Sequence, residues 1–304
     1  MSGCGCFKTK EPQKHGISVK TCSWGGLNPL SDSNEFNKAV ERVIEVMRRT
    51  PRENFLPDNA RDIFVKMVGI NRIRQAVGDN GKSDVELLDI VWPAVRQDIN
   101  QPIYVGDSHP SQKISSINVL VDIFASLDVN PGDRVLVVGG GSGYSSAIIS
   151  QLTGKKGKVY VVDAFPDMVS LAETNLKKSG CKNASVVQKD GINGFHKRKY
   201  YDRILVTGGL EGVPVELYKQ LKAGGKMIVP ICNKDCSGKL VLVQRFTRQN
   251  KYMKVNEDFT ATALLNVMFS PLEVMKRYAP ISIGELGDPL VEIMRKSDLV
   301  IACI

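Results

Sequence analysis

The sequence predicts an α/β fold, a doubly wound and mostly parallel sheet with an N-terminal helical extension, on three observations. Beyond Pro131-Gly132, short aliphatic and β-branched runs alternate with amphipathic segments; this is the rhythm of strands joined by crossover helices and covered on both faces. The first of those runs, Arg134–Val138, ends in a cluster of glycines. Upstream, from Asn34 to Leu127, apolar residues recur mainly at helical spacing.

Residues 1–32 hold Gly, Pro, Ser and Lys without periodicity and read as a flexible tail. From Asn34 to about Arg49, the residues Phe36, Val40, Val43, Ile44 and Met47 fall on one helical face, with Asp32 and Glu35 in a capping arrangement. Pro51 ends that helix, and residues 50–57 form a bend with apolar anchors. Ile63–Val77 reads as one helix, Gly78-Asp79-Asn80-Gly81 as a turn, and Val85–Arg96 as a further helix that Pro93 threatens to break. Gln101–Val105 is extended, residues 106–113 form a polar loop, and Ile114–Leu127 presents a broad apolar face. The second half predicts strands at Arg134–Val138, Lys158–Val162, Ala184–Gln188, Arg203–Thr207, Lys226–Ile231 and Leu240–Phe246. Helices fall at Tyr144–Leu152, Met168–Ser179 and Val213–Leu221. There is no internal repeat.

In such a sheet, ligands lie beyond the carboxyl ends of the central strands. The first strand runs into Gly139-Gly140-Gly141-Ser142-Gly143-Tyr144. Small residues there let backbone approach a ligand, and the next helix offers free N–H groups to an anion, either a pyrophosphate or an amino-acid carboxylate. A dinucleotide fingerprint requires glycine where Tyr144 stands, and no Gly-Lys-Ser/Thr follows for a triphosphate loop. The second strand leads to Asp163, twenty residues after Gly143, where a carboxylate accepts from two ribose hydroxyls or caps the helix beginning near Pro166. The third leads to Asp190-Gly191 on the same rim, suited to an adenine amino group or to a simple Asp-Gly turn.

Bulk composition narrows the class further. The chain has 304 residues, 42% hydrophobic and 24% charged, with no apolar run long enough for a spanning helix. The formal charge of +9 lacks the long basic run with interleaved aromatics that marks a nucleic-acid binder, so no nucleic-acid partner is expected. Seven scattered cysteines, Cys4, Cys6, Cys22, Cys181, Cys232, Cys236 and Cys303, do not form a disulfide framework, and Cys232 with Cys236 lacks the partners of a zinc site. No metal is expected, and a reducing, cytoplasmic setting fits. The first residues are too polar for a secretory signal, and Ser2 excludes N-myristoylation. Membrane contact is expected only if Cys4 and Cys6 are acylated beside Lys8, Lys10 and Lys14; otherwise this is a plain tail. His15, His109 and His196 fall in loops and read as surface residues.

The stretch from Arg134 to Tyr144 resembles the first motif of the protein-L-isoaspartate (D-aspartate) O-methyltransferase family. So do Asp190-Gly191, Tyr201–Thr207 and Gln220–Pro230, and upstream Thr50-Pro51-Arg52-Glu53-Asn54-Phe55, Gln101-Pro102-Ile103 and Ser111-Gln112-Lys113-Ile114-Ser115. The Pro-Arg-Glu-x-Phe and Gln-x-Ile-Ser segments narrow the likeness to this family. It implies an S-adenosylmethionine-dependent methyltransferase (Rossmann-like) fold and methylation of isoaspartyl carboxylates in damaged proteins or peptides, a protein-repair reaction. It further implies the cofactor S-adenosyl-L-methionine, held by Gly139, Gly141, Ser142, Gly143, Asp163, Asp190 and Gly191. Ser115 becomes the catalytic position, unless it is only the cap of the helix after it, with Ile114, Ser116 and Thr207 on the substrate side. The chain then divides into a tail (1–32), a helical substrate-side region with an insertion at about 63–100 (33–128), the cofactor domain (129–280) and a C-terminal extension (281–304), expected as a monomer. Three departures from the family pattern lie on the substrate side: Val137 in place of an acid, Ile117 where proline is usual, and the insertion. Two rivals remain. One is a cofactor-binding adaptor without transfer activity. The other is a methyltransferase acting on another substrate such as a small molecule or RNA, although Val206-Thr207-Gly208-Gly209 lacks the Asn/Asp-Pro-Pro-aromatic clamp of base-nitrogen methylation.

Overall fold

The computed structural model describes residues 34–78, 81–97, 102–106, 112–195, 200–233, 237–249, 255–268, 272 and 280–281. The tail, residues 282–304, all three histidines and Cys4, Cys6, Cys22, Cys236 and Cys303 lie outside the described residues.

The N-terminal region begins with α1 (Asn34–Arg48), whose Phe36, Ala39, Val40, Val43, Val46 and Met47 are buried. A 3₁₀ turn, Arg52–Phe55, follows. The single helix expected over Ile63–Val77 is two, α2 (Ala60–Val68) and α3 (Ile70–Val77). Gly69 separates them with φ 86°, a left-handed conformation that interrupts the helical ladder. Helix α4 (Asp84–Gln97) runs through Pro93 unbroken. Pro93 and Asp89 are both exposed, so the carbonyl that loses its partner is open to water. Its start carries a capping box, with Ser83 N–H and Oγ donating to Glu86 at 2.9 and 2.8 Å.

Short strands β1 (Ile103–Tyr104) and β2 (Lys113–Ile114) pair antiparallel. Helix α5 therefore spans Ile117–Leu127, not Ile114–Leu127, and its N-cap is Ser116, without a side-chain capping bond. Ser115 lies one residue outside the helix, which removes the reading of Ser115 as its cap. At the far end of α5, Arg203 Nε donates to the carbonyls of Leu127 and Asp128 at 2.8 and 2.9 Å. Phe124 and Leu127 are fully buried, each contributing about 1.5–3 kcal/mol of transfer free energy. The helix that starts beside Ser115 is thus fixed along its length.

The sheet strands are β3 (Arg134–Val138), β4 (Lys158–Asp163), β5 (Ala184–Gln188), β6 (Tyr201–Val206), β8 (Leu221–Cys232), β9 (Ser237–Gln249) and β10 (Val255–Met268). A two-residue strand, β7 (Val213–Pro214), pairs with β11 (Pro280–Ile281) outside the main sheet. The main order is β5-β4-β3-β6-β8-β9-β10. The first five strands in that order are mutually parallel, and the last two add antiparallel. The two long antiparallel strands extend well past the single strand expected at Leu240–Phe246.

Helices α6 (Tyr144–Thr153) and α7 (Pro166–Lys178) follow β3 and β4. Alternation splits β3 between two cores: Val135 and Val137 pack with α1, α5 and α6, and Leu136 and Val138 with Ile192, Ile204 and Leu217. The helix expected over Val213–Leu221 shrinks to α8 (Val215–Lys219). Pro214 sits at its N-cap, and the carbonyl of Gln220 accepts from Tyr201 N–H at 2.8 Å, drawing the chain into β8.

Candidate active site

The chain leaves β3, passes through β4 and β5, then returns to place β6 on the opposite side of β3. This reversal opens a crevice at the carboxyl ends of β3 and β6. The glycine turn lies there. Thr207, just past β6, donates its hydroxyl to the carbonyl of Gly139 at 2.7 Å, and its N–H bonds the carbonyl of Val138 at 3.0 Å. Gly139 and Gly143 have φ of 90° and 85°, and Gly141 has 51°.

What a side chain would meet differs sharply between these glycines. A Cβ at Gly139 would collide with Thr207 Oγ1 and lie 3.3 Å from Leu272 Cδ1, and one at Gly140 would lie 2.8 Å from Val161 Cγ1. At Gly143 it would approach the Ala172 backbone to 3.1 Å, and at Gly191 it would collide with Val162 and reach 2.8 Å from Val138 Cγ1. At Gly141 it would meet nothing within 4 Å. The turn is therefore packed hard against the ends of β3, β4 and β6, with one face open.

Asp163 ends β4 and is buried. Its two oxygens accept the N–H groups of Gly141 at 2.9 Å and Phe165 at 3.0 Å. Burial pushes its carboxyl above the usual range, against the N–H groups of Gly141, Phe165 and Gly140, which favour the charged form. Asp190 accepts the N–H of Ile192 at 3.1 Å, an Asx turn at the end of β5, and Gly191 closes against β3 and β4. Ser142 is buried, its carbonyl accepting from Asn175 Nδ2 at 2.9 Å. Gly139, Gly141, Ser142, Gly143, Asp163, Asp190, Gly191 and Thr207 are thus gathered on one rim.

Ile114, Ser115 and Ser116, expected on the substrate side, sit on a separate element. Ile114 is buried in β2, and Ser115 and Ser116 are half-buried in the turn leading into α5. The carbonyl of Ser115 accepts from Arg52 Nη1 at 3.3 Å. Three residues on, Phe55 packs edge-on to Tyr144 with ring centroids 5.2 Å apart. Its carbonyl takes a second bond from Asn175 Nδ2, at 3.1 Å. Ser115 is connected to the glycine turn through this 3₁₀ segment.

Arg52, Asn175 and Leu272 were not picked out as site residues by sequence reasoning. Arg52 lay inside a recognised motif, which was the available signal. Asn175 occupies an ordinary position in a polar helix. Leu272, whose N–H donates to the carbonyl of Gly209 at 2.9 Å, comes from a segment far along the chain.

A parallel sheet with this order, a glycine turn after its first strand and a carboxylate after its second define the fold of the S-adenosylmethionine-dependent methyltransferases. A solved protein-L-isoaspartate O-methyltransferase shares the fold at a TM-score of 0.54 and 24% identity, covering 86% of this chain and 66% of its own. Residues 92–274 match the family model of protein-L-isoaspartate(D-aspartate) O-methyltransferase. The protein-L-isoaspartate O-methyltransferase of Methanothrix thermoacetophila is 30% identical over 236 residues, 78% of this chain and 90% of that protein. That of Methanopyrus kandleri is 33% identical over 191 residues, 62% and 69% of the two chains. The chain belongs to the protein-L-isoaspartate(D-aspartate) O-methyltransferase family.

Proposed function

We propose that this chain transfers a methyl group from S-adenosylmethionine to the carboxylate of isoaspartyl residues in damaged proteins. The observation that carries the reading is the glycine turn. It is wedged in place at Gly139, Gly140 and Gly143 and opens onto free space at Gly141, whose N–H is held by the buried Asp163. That combination suits a ligand pressed against the turn with hydroxyls beside an acid.

The cofactor, when bound, supplies a methyl group on a positively charged sulfur that leaves as a neutral thioether. Gly139, Gly141 and Gly143, with Ser142 between them, cradle its amino-acid end. Asp163 takes the ribose hydroxyls, and Asp190 with Gly191 flanks the adenine. An acceptor carboxylate is ionised at neutral pH and needs no general base. The protein's work is to aim it, and such positioning supplies about 7–11 kcal/mol in favourable cases. Ser115 orients the acceptor through its hydroxyl or its backbone, with Ile114 and Ser116 on either side. The hydroxyl proton of Thr207 is committed to the Gly139 carbonyl, so Thr207 supports the turn and offers the acceptor its remaining surface. Residues 33–128 act in this scheme as the substrate side and 129–280 as the cofactor domain.

We further read the protein as a cytoplasmic monomer. Cys181 is a free thiol, and no helix among the described residues is long and apolar enough to cross a membrane.

Val137 favours a second reading, a cofactor-binding adaptor. It is fully buried in apolar surroundings where the family has an acid, so it brings no polar group to the site. Titration calorimetry with S-adenosylmethionine beside a methyl-ester assay on an isoaspartyl peptide separates the two. Methyl transfer yields base-labile ester; binding without ester supports the adaptor.

A further inference from the structure

We propose that Arg52 is a positioning residue for methyl transfer, its buried guanidinium holding the turn that carries Ser115 in place over the glycine turn. This inference rests on the function proposed above.

Arginine is almost never fully buried unless its donors are satisfied, yet Arg52 is only 4% exposed. One of its nitrogens donates to the Ser115 carbonyl, across 63 residues of sequence. The same short segment is fastened to the cofactor side at three points. Asn175 bridges the carbonyls of Phe55 and Ser142, the Phe55 ring meets Tyr144 at the start of α6, and Gln151 Nε2 on α6 donates to Thr50 Oγ1 at 2.5 Å. The Arg52 charge also reaches the Tyr144 phenol, where it opposes the rise in pKa that burial causes. Ser115 itself is held by β2 on one side and α5 on the other. Arg52 thus connects the acceptor turn to the segment that the cofactor turn fixes. A misplacement on the order of 1 Å between acceptor and methyl group costs roughly a hundredfold in rate, so a residue in this place acts on turnover without touching either reactant.

The test uses the full chain with Arg52→Met, which keeps length and apolar bulk, and Arg52→Lys, which keeps the charge. Three quantities are read: kcat and KM for an isoaspartyl peptide, the Kd of S-adenosylhomocysteine, and amide hydrogen exchange over residues 113–117. Arg52→Met should lower kcat by roughly tenfold to a hundredfold, the loss expected for one hydrogen bond from a charged donor. The Kd should stay within about threefold, and exchange at 113–117 should quicken while β3 is unchanged. Arg52→Lys should fall between, about threefold to tenfold below the parent, because a single ammonium replaces a planar fork. Unchanged turnover, equal losses in turnover and cofactor affinity, or Arg52→Lys no better than Arg52→Met would each overturn the proposal. If Arg52→Met does not fold, Arg52→Lys decides: reduced kcat at unchanged Kd upholds the assignment and unchanged kcat sinks it. If the parent makes no ester on the peptide, the proposed function fails instead, and exchange at 113–117 alone judges the positioning role, with unaltered exchange counting against it.

Discussion

Asp163→Asn isolates the charge of the acid at the end of β4 while keeping its shape. Each Asp163 oxygen accepts one backbone N–H, from Gly141 at 2.9 Å and Phe165 at 3.0 Å. An amide puts a donor against one of those donors, and breaking a hydrogen bond to a charged group costs about 1.5–3 kcal/mol. In the free protein that loss is offset in part, because burial already disfavours the ionised form of Asp163 and the amide carries no charge to desolvate. With cofactor the offset disappears, since the ribose hydroxyls lose a charged acceptor. The Kd of S-adenosylhomocysteine at pH 7.5 should therefore rise about tenfold to a hundredfold, at about 1.4 kcal/mol per decade, with a much smaller change in thermal stability. Calorimetric titration and a melting curve on the same sample check both halves. In the parent, affinity should also fall on acidification at a pH above the ordinary aspartate range, as Asp163 protonates, and the variant should lack that step. A Kd within twofold of the parent, or binding lost only in step with unfolding, would refute the placement of the ribose on this acid.

Three other predictions rest on separate features. Burial alone pushes Asp122 on α5 up to about 6 from the aspartate value of 3.8. Ionising it therefore costs folded-state stability as pH rises through that window, at most about 3 kcal/mol at 1.36 kcal/mol per unit. Asp122→Asn should be more stable than the parent at pH 7.5 and close to it at pH 3 in urea titrations; equal curves at both would contradict this. Gly141→Ala points its methyl into open space and should cost the free protein only about 1–2 kcal/mol for the left-handed backbone, yet weaken cofactor binding at least tenfold. Gly191→Ala meets Val162 and Val138 and should instead destabilise the fold by about 1–3 kcal/mol with or without cofactor; identical behaviour of the two variants would show the open face is misassigned. Ser115→Ala should reduce turnover of an isoaspartyl peptide more than cofactor affinity, and full activity would leave Ser115 a turn residue only.

The parallel half of the fold was legible because its signals are local. Arg134–Val138, Ala184–Gln188 and Tyr144–Leu152 end within a residue or so of their predicted limits, since glycines and apolar runs punctuate them. Long-range constraints were not legible. Nothing local says that Lys113–Ile114 must pair with Ile103–Tyr104 and so delay α5 to Ile117, or that Pro214 should meet Pro280 and shorten α8. Of the β9–β10 hairpin only Leu240–Phe246 within β9 is legible, because Val255–Met268 mixes polar residues among apolar ones and lies at the sheet's edge. Gly69 falls inside the single helix expected over Ile63–Val77, and the Ser83-x-x-Glu86 box has the spacing of a start signal that the expected helix at Val85–Arg96 leaves out. At the site, the glycines and the two rim acids are visible as a pattern, whereas the link from Ser115 through Arg52, Phe55 and Asn175 to Ser142 joins four distant stretches and exists only in the folded chain.

The most direct test is a crystal structure of the protein with S-adenosylhomocysteine and an isoaspartyl peptide. The nucleoside should lie across the ends of β3, β4 and β5, with its ribose on Asp163 and the acceptor carboxylate within hydrogen-bond reach of Ser115. A crevice filled by side chains, or a peptide carboxylate bound away from the Ser115 turn, would contradict it.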